Sequence, residues 1–300
     1  MKVLAAVVTH NRCALLSRCI DGIEAQTRVA HDIVVIDNAC TDGTVQMLQR
    51  RGVRFITQEN VGSAGGWHRS IKYALDNGYD AVWLMDDDGY PDAHALGSLV
   101  SALHDGLSCV SSIVVREDEP SRFVFPFPVL NAKRMPVIFG WPRRYRTLVE
   151  LAAVSPGGTY AFAHLFNGAL ISLRAVRTVG NVNTDYFIYG DEVDYFFRLR
   201  QFGPVISVLD AVHYHPDVSQ RSYSPMKVYY YVKNSLVLNA RYFNIPWIRH
   251  VLLLGIVLVR MTARSGLAFS ASLVAGRNAP IFYRAILRGL RGKIGKDFDV

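Results

Sequence analysis

Through the first 115 residues, five short runs of β-branched and apolar residues take turns with segments of helical length, and this alternation leaves few architectures open. The runs at 3–9, 33–37, 53–57, 81–85 and 109–115 predict strands, and helices are predicted near 13–26, 43–51, 64–77 and 92–104. Strands separated in this way pair in parallel, and a parallel sheet needs helices on both faces to cover it. The expected class is therefore α/β, a Rossmann-like, mostly parallel sheet.

Open sheets of that kind bind ligands beyond the carboxyl ends of their strands. Here those ends read Thr9-His10-Asn11, Asp37-Asn38, Asn60-Val61-Gly62 and Asp86-Asp87-Asp88. The last, within "VWLMDDDGYP", runs from apolar strand residues straight into three carboxylates. If the strand continues, Asp86 and Asp88 point to one side and Asp87 to the other. Carboxylates held together repel unless a proton or a cation separates them, and Mg²⁺ is commonly held by one or two carboxylates with water and phosphate oxygens. Capping of the helix near Asp92 is the plainer alternative, but Gly89 and Pro91 intervene.

The other strand ends narrow the chemistry. "THNRCALL" has no glycine in the first strand-to-helix turn and "GSAGG" lacks the G-x-G-x-x-G order, which excludes a dinucleotide dehydrogenase. In "IDNACTDGT", Asp37 and Asn38 offer donor and acceptor groups suited to a pyrimidine edge, while Thr41 or Asp42 caps the next helix. "ENVGSAGGWHRS" supplies a glycine-rich helix start at Gly62, Gly65 and Gly66, where backbone N–H groups can meet a diphosphate, with Arg69 one turn inside. "GDEVD" opens another helix; Asp191, Glu192 and Asp194 are either dipole-favoured first-turn residues or include a general base.

The charge is unevenly spread. Of a net +8, residues 1–240 carry 23 basic and 23 acidic side chains, and 241–300 carry ten basic and two acidic. A balanced catalytic part joined to a cationic tail speaks against nucleic acid as a partner. The tail is also apolar: "VLLLGIVLV" at 251–259 is about half of the ~20 residues needed to span a bilayer, and "IFYRAILRGLRGKIGK" mixes apolar and basic positions as interfacial helices do. The apolar residues of 245–290 fit packing against a second copy, as a homo-oligomer, as well as against lipid. The first residues read as a strand and not a signal peptide, and four cysteines without C-x-x-C spacing suit a reducing cytoplasm.

Taken in order, "VVTHNR", "VVIDNACTDGT", "NVGSAGG", "WLMDDDGYPD", "FNGALIS", "YGDEVDYFFRLRQFG" and "HYHP" resemble the blocks of family 2 inverting glycosyltransferases of the nucleotide-diphosphate-sugar-binding fold, GT-A. The combination is most similar to the bacterial galactofuranosyltransferases, with the rhamnosyltransferases next. The resemblance implies a GT-A catalytic domain over 1–217 and a helical C-terminal region over 218–300. It implies Mn²⁺ or Mg²⁺ held by Asp86, Asp88 and His215 against a UDP-sugar donor, with Asp87 beside them. Thr9, Asn11, Asp37, Asn38 and Asn60 would contact the nucleoside, and Arg69 would approach phosphate or the neighbouring carboxylates. By the register of "DEVD" the base is Glu192, with Asp191 as competitor; Asp194 would orient the acceptor or structure the loop. Trp141, in "FGWPRRYR", is the candidate platform for a glycan or lipid-linked glycan acceptor. "YYYVKN" at 229–234 resembles a block both groups place after the catalytic domain, where Arg is usual in place of Lys233. The implied setting is the cytoplasmic face of the plasma membrane, in assembly of a bacterial surface polysaccharide such as O-antigen lipopolysaccharide or cell wall glycan.

Overall fold

The computed structural model describes residues 1–137, 144–219 and 224–298; Trp141 and Arg143 fall outside them. In chain order the elements are β1 (Val3–Thr9), α1 (Cys13–Glu24), β2 (Asp32–Asn38), α2 (Thr44–Arg51), β3 (Arg54–Gln58), α3 (Gly62–Asp76), β4 (Ala81–Asp86), β5 (Tyr90–Pro91), α4 (Ala95–Ala102), β6 (Cys109–Arg116), β7 (Arg122–Pro128) and β8 (Arg144–Thr147). There follow α5 (Leu148–Ala152), β9 (Thr159–Tyr160), β10 (Asn167–Ser172), α6 (Leu173–Val179), α7 (Asp191–Phe202), β11 (Val205–His215), α8 (Pro225–Tyr242), α9 (Pro246–Ser265), α10 (Leu267–Ala275) and α11 (Ala279–Leu290). They form two compact units. The first comprises Met1–Val61, Gly66–Asn181 and Arg198–Asp217; the second comprises Gly62–Gly65, Val182–Phe197 and Val218–Val300.

The first unit is built on a sheet of order β3-β2-β1-β4-β10-β6-β11-β5. β1 pairs in parallel with β2 and β4, β2 with β3, and β6 with β11, whereas β10 runs antiparallel between β4 and β6. The sheet is mixed because β10 arrives after a long excursion and is not bound by the right-handed crossover that joins parallel neighbours. All seven residues of β1 are buried, as a strand covered on both faces requires. On one face α1 lays Leu16, Cys19, Ile20 and Ile23, spaced as one helical stripe, into a core with Val7, Trp83 and Met85. Truncating Leu16 to Ala would cost about 2–5 kcal/mol. α2 stops at Gly52, whose left-handed backbone (φ 66°) lets Val53 N–H return to Leu48 O at 3.1 Å.

The Pro- and aromatic-rich stretch after 116 is more regular than its sequence suggests. β7 pairs with β6 and, antiparallel, with β8, and Phe123, Phe127, Tyr145, Tyr160 and Phe162 gather there in an aromatic cluster.

In the second unit α8 is the central helix: Tyr229, Tyr230, Val232 and Leu236 pack with Val257 and Met261 of α9, Leu273 of α10, and Phe282 and Ala285 of α11. Gly289 lets α11 approach closely, since a Cβ there would lie 2.8 Å from Leu236 Cβ and Lys233 O. The nine-residue apolar run belongs to a longer helix than its own length implies: α9 has 20 residues and is, by length and composition, the one helix among the described residues apolar enough to cross a membrane. Trp247, Val251 and Val259 on it are each about 70% exposed.

Candidate active site

In the first unit the strand ends of β1, β2 and β4 meet. β4 stops at Asp86, and Asp87 and Asp88 lie in the following turn, so the strand alternation expected to align Asp86 with Asp88 does not operate. Instead Asp87 and Asp88, each 3% exposed, converge on Arg12. One guanidinium nitrogen, Nη1, donates to Asp87 Oδ1 at 2.9 Å and to Asp88 Oδ2 at 2.8 Å. Thr9 Oγ1 donates to Asp87 Oδ2 at 2.7 Å, and His10 N–H reaches the same oxygen at 3.4 Å. Burial raises the Asp87 pKa, and Arg12 and Thr9 pull against it. Burial works against the Arg12 charge too, yet Asp87 and Asp88 hold its pKa above the ordinary value.

Arg12 was not foreseen as part of this cluster; the signal available was its place in "THNR", just beyond a strand that neighbours the acidic one. Arg69, expected to approach phosphate or the carboxylates, is exposed on α3 and makes no ion pair with these carboxylates. Arg12 reaches the carboxylates because it follows β1, which pairs with β4.

Asp88 Oδ1 faces His215 Nε2 at 2.9 Å, both side chains being about 4% exposed. His215 Nδ1 lies 2.7 Å from Pro216 O, to which it donates, so in the neutral ring the lone pair is on Nε2. Two acceptors then confront each other unless a proton or a metal cation lies between. β11 continues through both histidines, but His213 packs against Gly89 and Gly168. Burial, above all, pushes His213 down to about 3, so it stays neutral.

The donor set passes a chemical test for a divalent cation. A separation of 2.9 Å between one carboxylate oxygen and one imidazole nitrogen matches the edge of an octahedron with bonds near 2.1 Å, about 3 Å. An oxygen–nitrogen pair suits Mn²⁺ or Mg²⁺, with the imidazole favouring Mn²⁺. No set of three His, Cys, Asp or Glu side chains is already assembled among the described residues; Asp86, the last residue of β4, is half-buried.

The loop after β2 is laced together. Asp37 accepts from Cys40 N–H at 2.8 Å and Thr57 Oγ1 at 3.0 Å; Asn38 Oδ1 accepts from Gln58 at 2.7 Å. Asn11, in a left-handed conformation, accepts from Thr41 N–H at 2.7 Å. The N-cap of α2 is Gly43, without a side-chain cap, in place of Thr41 or Asp42; Asp42, one residue earlier, accepts from Thr44 Oγ1 at 2.6 Å and Thr44 N–H at 3.3 Å. Asn60 is half-buried in the turn before α3. Gly66 is needed for packing, since a Cβ would lie 2.4 Å from Val8 Cγ1; Gly65 beside it is buried.

The acidic start of α7 lies in the second unit. Phe187 (φ 62°), Tyr189 (φ 59°) and Gly190 (φ 97°) precede it in left-handed conformations, which cost a non-glycine residue about 1–3 kcal/mol and gather at functional sites. Gly62 is required here too, since a Cβ would lie 2.1 Å from Phe187 O, and that oxygen accepts from Ala64 N–H at 3.2 Å. One of the first donors of α3 is thereby committed within the protein. Asp191 is 4% exposed and accepts from Ser63 Oγ at 3.3 Å. Burial, then the Glu192 charge, raises its pKa to about 7. Glu192 is half-buried. Asp194 Oδ1 accepts from Tyr242 at 2.7 Å, Arg241 at 3.1 Å and Tyr186 at 3.3 Å, an arrangement that ties α7 to α8.

Comparison with known proteins fits this geometry. Residues 5–149 match the family model "Glycosyl transferase family 2". Galactofuranosyltransferase GlfT1 of Mycobacterium tuberculosis (strain ATCC 25618 / H37Rv) is 36% identical over 224 residues, 71% of this chain and 70% of that protein. GlfT1 of Mycolicibacterium smegmatis is 34% identical over 221 residues, again 71% and 70% of the two chains. Among solved structures, the mannosyltransferase PcManGT of Pyrobaculum calidifontis, in complex with GDP-Man and Mn²⁺, superposes with a TM-score of 0.56 at 17% identity, over 96% of this chain and 80% of that one. Such structural likeness establishes the GT-A fold, and the sequence likeness goes further: the chain belongs to glycosyl transferase family 2, as a galactofuranosyltransferase-like hexosyltransferase.

Proposed function

We propose that this protein transfers galactofuranose from UDP-galactofuranose to a lipid-linked glycan acceptor, with inversion at the anomeric carbon, during assembly of a bacterial surface polysaccharide. The observation that carries the reading is the 36% identity with GlfT1 across 70% of both chains. The pairing of Asp88 with His215 supports it, because that pair fits a cation facing a diphosphate.

Asp86, Asp88 and His215 would hold Mn²⁺ or Mg²⁺, which when bound supplies positive charge for the departing diphosphate. Arg12 and Thr9 hold the acidic turn in shape for that purpose. Thr9, Asn11, Asp37, Asn38 and Asn60 would line the nucleoside, with Asp37 shaping the loop through Cys40 and Thr57. Gly62, Gly65, Gly66 and Arg69 would serve the phosphates from the start of α3. Glu192 removes the proton from the acceptor hydroxyl as its oxygen bonds the anomeric carbon. The bond from that carbon to phosphate breaks, and UDP leaves with the electron pair. Glu192 suits this work better than Asp191 because a base must touch its substrate, and Asp191 is almost wholly buried.

In this reading 1–217 is the catalytic domain and 218–300 holds the enzyme on the cytoplasmic face of the plasma membrane. The exposed apolar residues of α9 and the ten basic residues of 241–300 support that placement. Incubating purified protein with Mn²⁺ and either UDP-galactofuranose or TDP-rhamnose tests the donor. Release of UDP from the first is expected; release of TDP from the second, with the first untouched, would reverse the assignment.

A further inference from the structure

The loop that delivers the acidic start of α7 spends its polar groups in an unusual way. Its carbonyls at Tyr186, Ile188 and Tyr189 all turn toward one side chain, Asn234 of α8, whose Nδ2 donates to them at 3.0, 3.0 and 2.7 Å. Asn234 is fully buried. Only the amide nitrogen can face three carbonyls, so the orientation of the side chain is fixed by its partners. Phe187, Tyr189 and Gly190 are left-handed, a backbone that holds only where its surroundings over-determine it. The fit is tight, since a Cβ on Gly190 would lie 3.1 Å from Asn234 Cβ.

A second tether reaches the same loop. Gly295 N–H donates to Asp185 O at 2.7 Å. Lys233, next to Asn234 and wholly buried, donates to Gly295 O and to Asp297 Oδ2, both at 2.6 Å. Adjacent residues of α8 thus hold the loop directly and through the 295–298 segment.

We propose that Asn234 is a positioning residue for transfer: by collecting the three carbonyls of 186–189 it fixes the backbone from which Asp191 and Glu192 project. The proposal rests on the reading of Glu192 as the base. Without the amide, the carbonyls of Tyr186, Ile188 and Tyr189 lose the donor they share, Tyr186 O keeping Ile188 N–H at 2.8 Å; the strained loop relaxes toward water, and the carboxylate that meets the acceptor loses its fixed position.

The test uses the full chain with Asn234→Ser, Asn234→Asp and Glu192→Gln, UDP-galactofuranose as donor and octyl galactofuranoside as acceptor probe. For Asn234→Ser we expect kcat to fall by about tenfold or more, with the donor KM and calorimetric UDP affinity changed by less than about twofold. Amide exchange over 186–192 should accelerate by about tenfold while β1 and β4 stay protected. Asn234→Asp puts a carboxylate against the carbonyls and should act more severely; should it fail to fold, Asn234→Ser carries the test. A purely structural role would lower thermal stability and depress kcat and UDP binding together, overturning the proposal. Unchanged exchange over 186–192, or full turnover by Asn234→Ser while Glu192→Gln is inactive, would do the same. Full turnover by Glu192→Gln would instead remove Glu192 as the base, leaving the exchange and kcat of Asn234→Ser to decide the positioning role.

Discussion

His215 Nε2 faces Asp88 Oδ1 across 2.9 Å, while Nδ1 is committed to the carbonyl of Pro216. In the proposed metal site this imidazole would be a ligand oriented in advance by its own backbone; losing merely the group that orients such a ligand weakens metal binding by about 10- to 100-fold, and losing the ligand should cost at least as much. His215→Gln and Asp88→Asn should each weaken Mn²⁺ binding by about that factor, measured by calorimetry with UDP present. Equal affinities in wild type and both variants would remove these residues from the metal site.

Arg12 compensates two buried carboxylates with one nitrogen. Arg12→Met removes the guanidinium from which Asp87 and Asp88 both accept. Since Arg12 is 42% exposed, the full cost of breaking a buried pair must be discounted for solvent screening, to on the order of 2 kcal/mol. The denaturant midpoint should fall accordingly, and saturating Mn²⁺ should restore part of the loss. An unchanged midpoint would mean that water already balances these acids.

Glu192→Gln keeps the size and removes the base. General-base loss costs about 10²- to 10⁴-fold in kcat, with UDP affinity intact. Asp191→Asn should cost much less in kcat. The reverse ranking would transfer the base to Asp191.

Asp191 also sets a pH dependence of stability. Its carboxyl, ordinarily near 3.8, is raised to about 7 in the folded protein by burial and then by the Glu192 charge. The folded chain therefore binds this proton more tightly than the unfolded one. The stability so gained is fully present below 3.8 and is lost as pH rises through about 7. Asp191→Asn removes that dependence and still accepts from Ser63. Between about pH 4 and pH 8, urea midpoints of the variant should rise relative to wild type by an amount worth a few kcal/mol. Parallel curves would show that burial does not govern this group.

Trp247, Val251 and Val259 on α9 give a test of membrane docking. Replacing all three by Ser should reduce co-sedimentation with vesicles containing anionic phospholipid by about tenfold or more, and salt should weaken the wild type through its basic residues. Undiminished binding by the triple variant would point to another face.

The alternation of strands and helices was legible because buried parallel strands are apolar throughout and their helices carry one apolar stripe; β1 is found at the predicted 3–9 and α1 differs only at its end. The run of carboxylates at the end of β4 stood out in the sequence, but not its geometry: a continuing strand would pair Asp86 with Asp88, whereas the chain turns at Asp87 and buries Asp87 and Asp88. What periodicity could not convey was partnership at a distance. Arg12 meets Asp88 across 76 residues, and Asn234 meets Tyr189 across 45; in the linear chain each is one polar residue among many. The β7–β8 ribbon escaped notice because Pro126 and Pro128 mask a strand, which tolerates proline where no ladder donor is required.

The buried ammonium of Lys233 bears on how the protein is made. Its counter-charge, Asp297, is 64 residues downstream, so on the ribosome α8 emerges long before the group that neutralises it. An uncompensated charge at the heart of a helical core is costly, and the second unit therefore reaches its final packing only once the segment carrying Asp297 has left the ribosome, after most of the first unit has emerged.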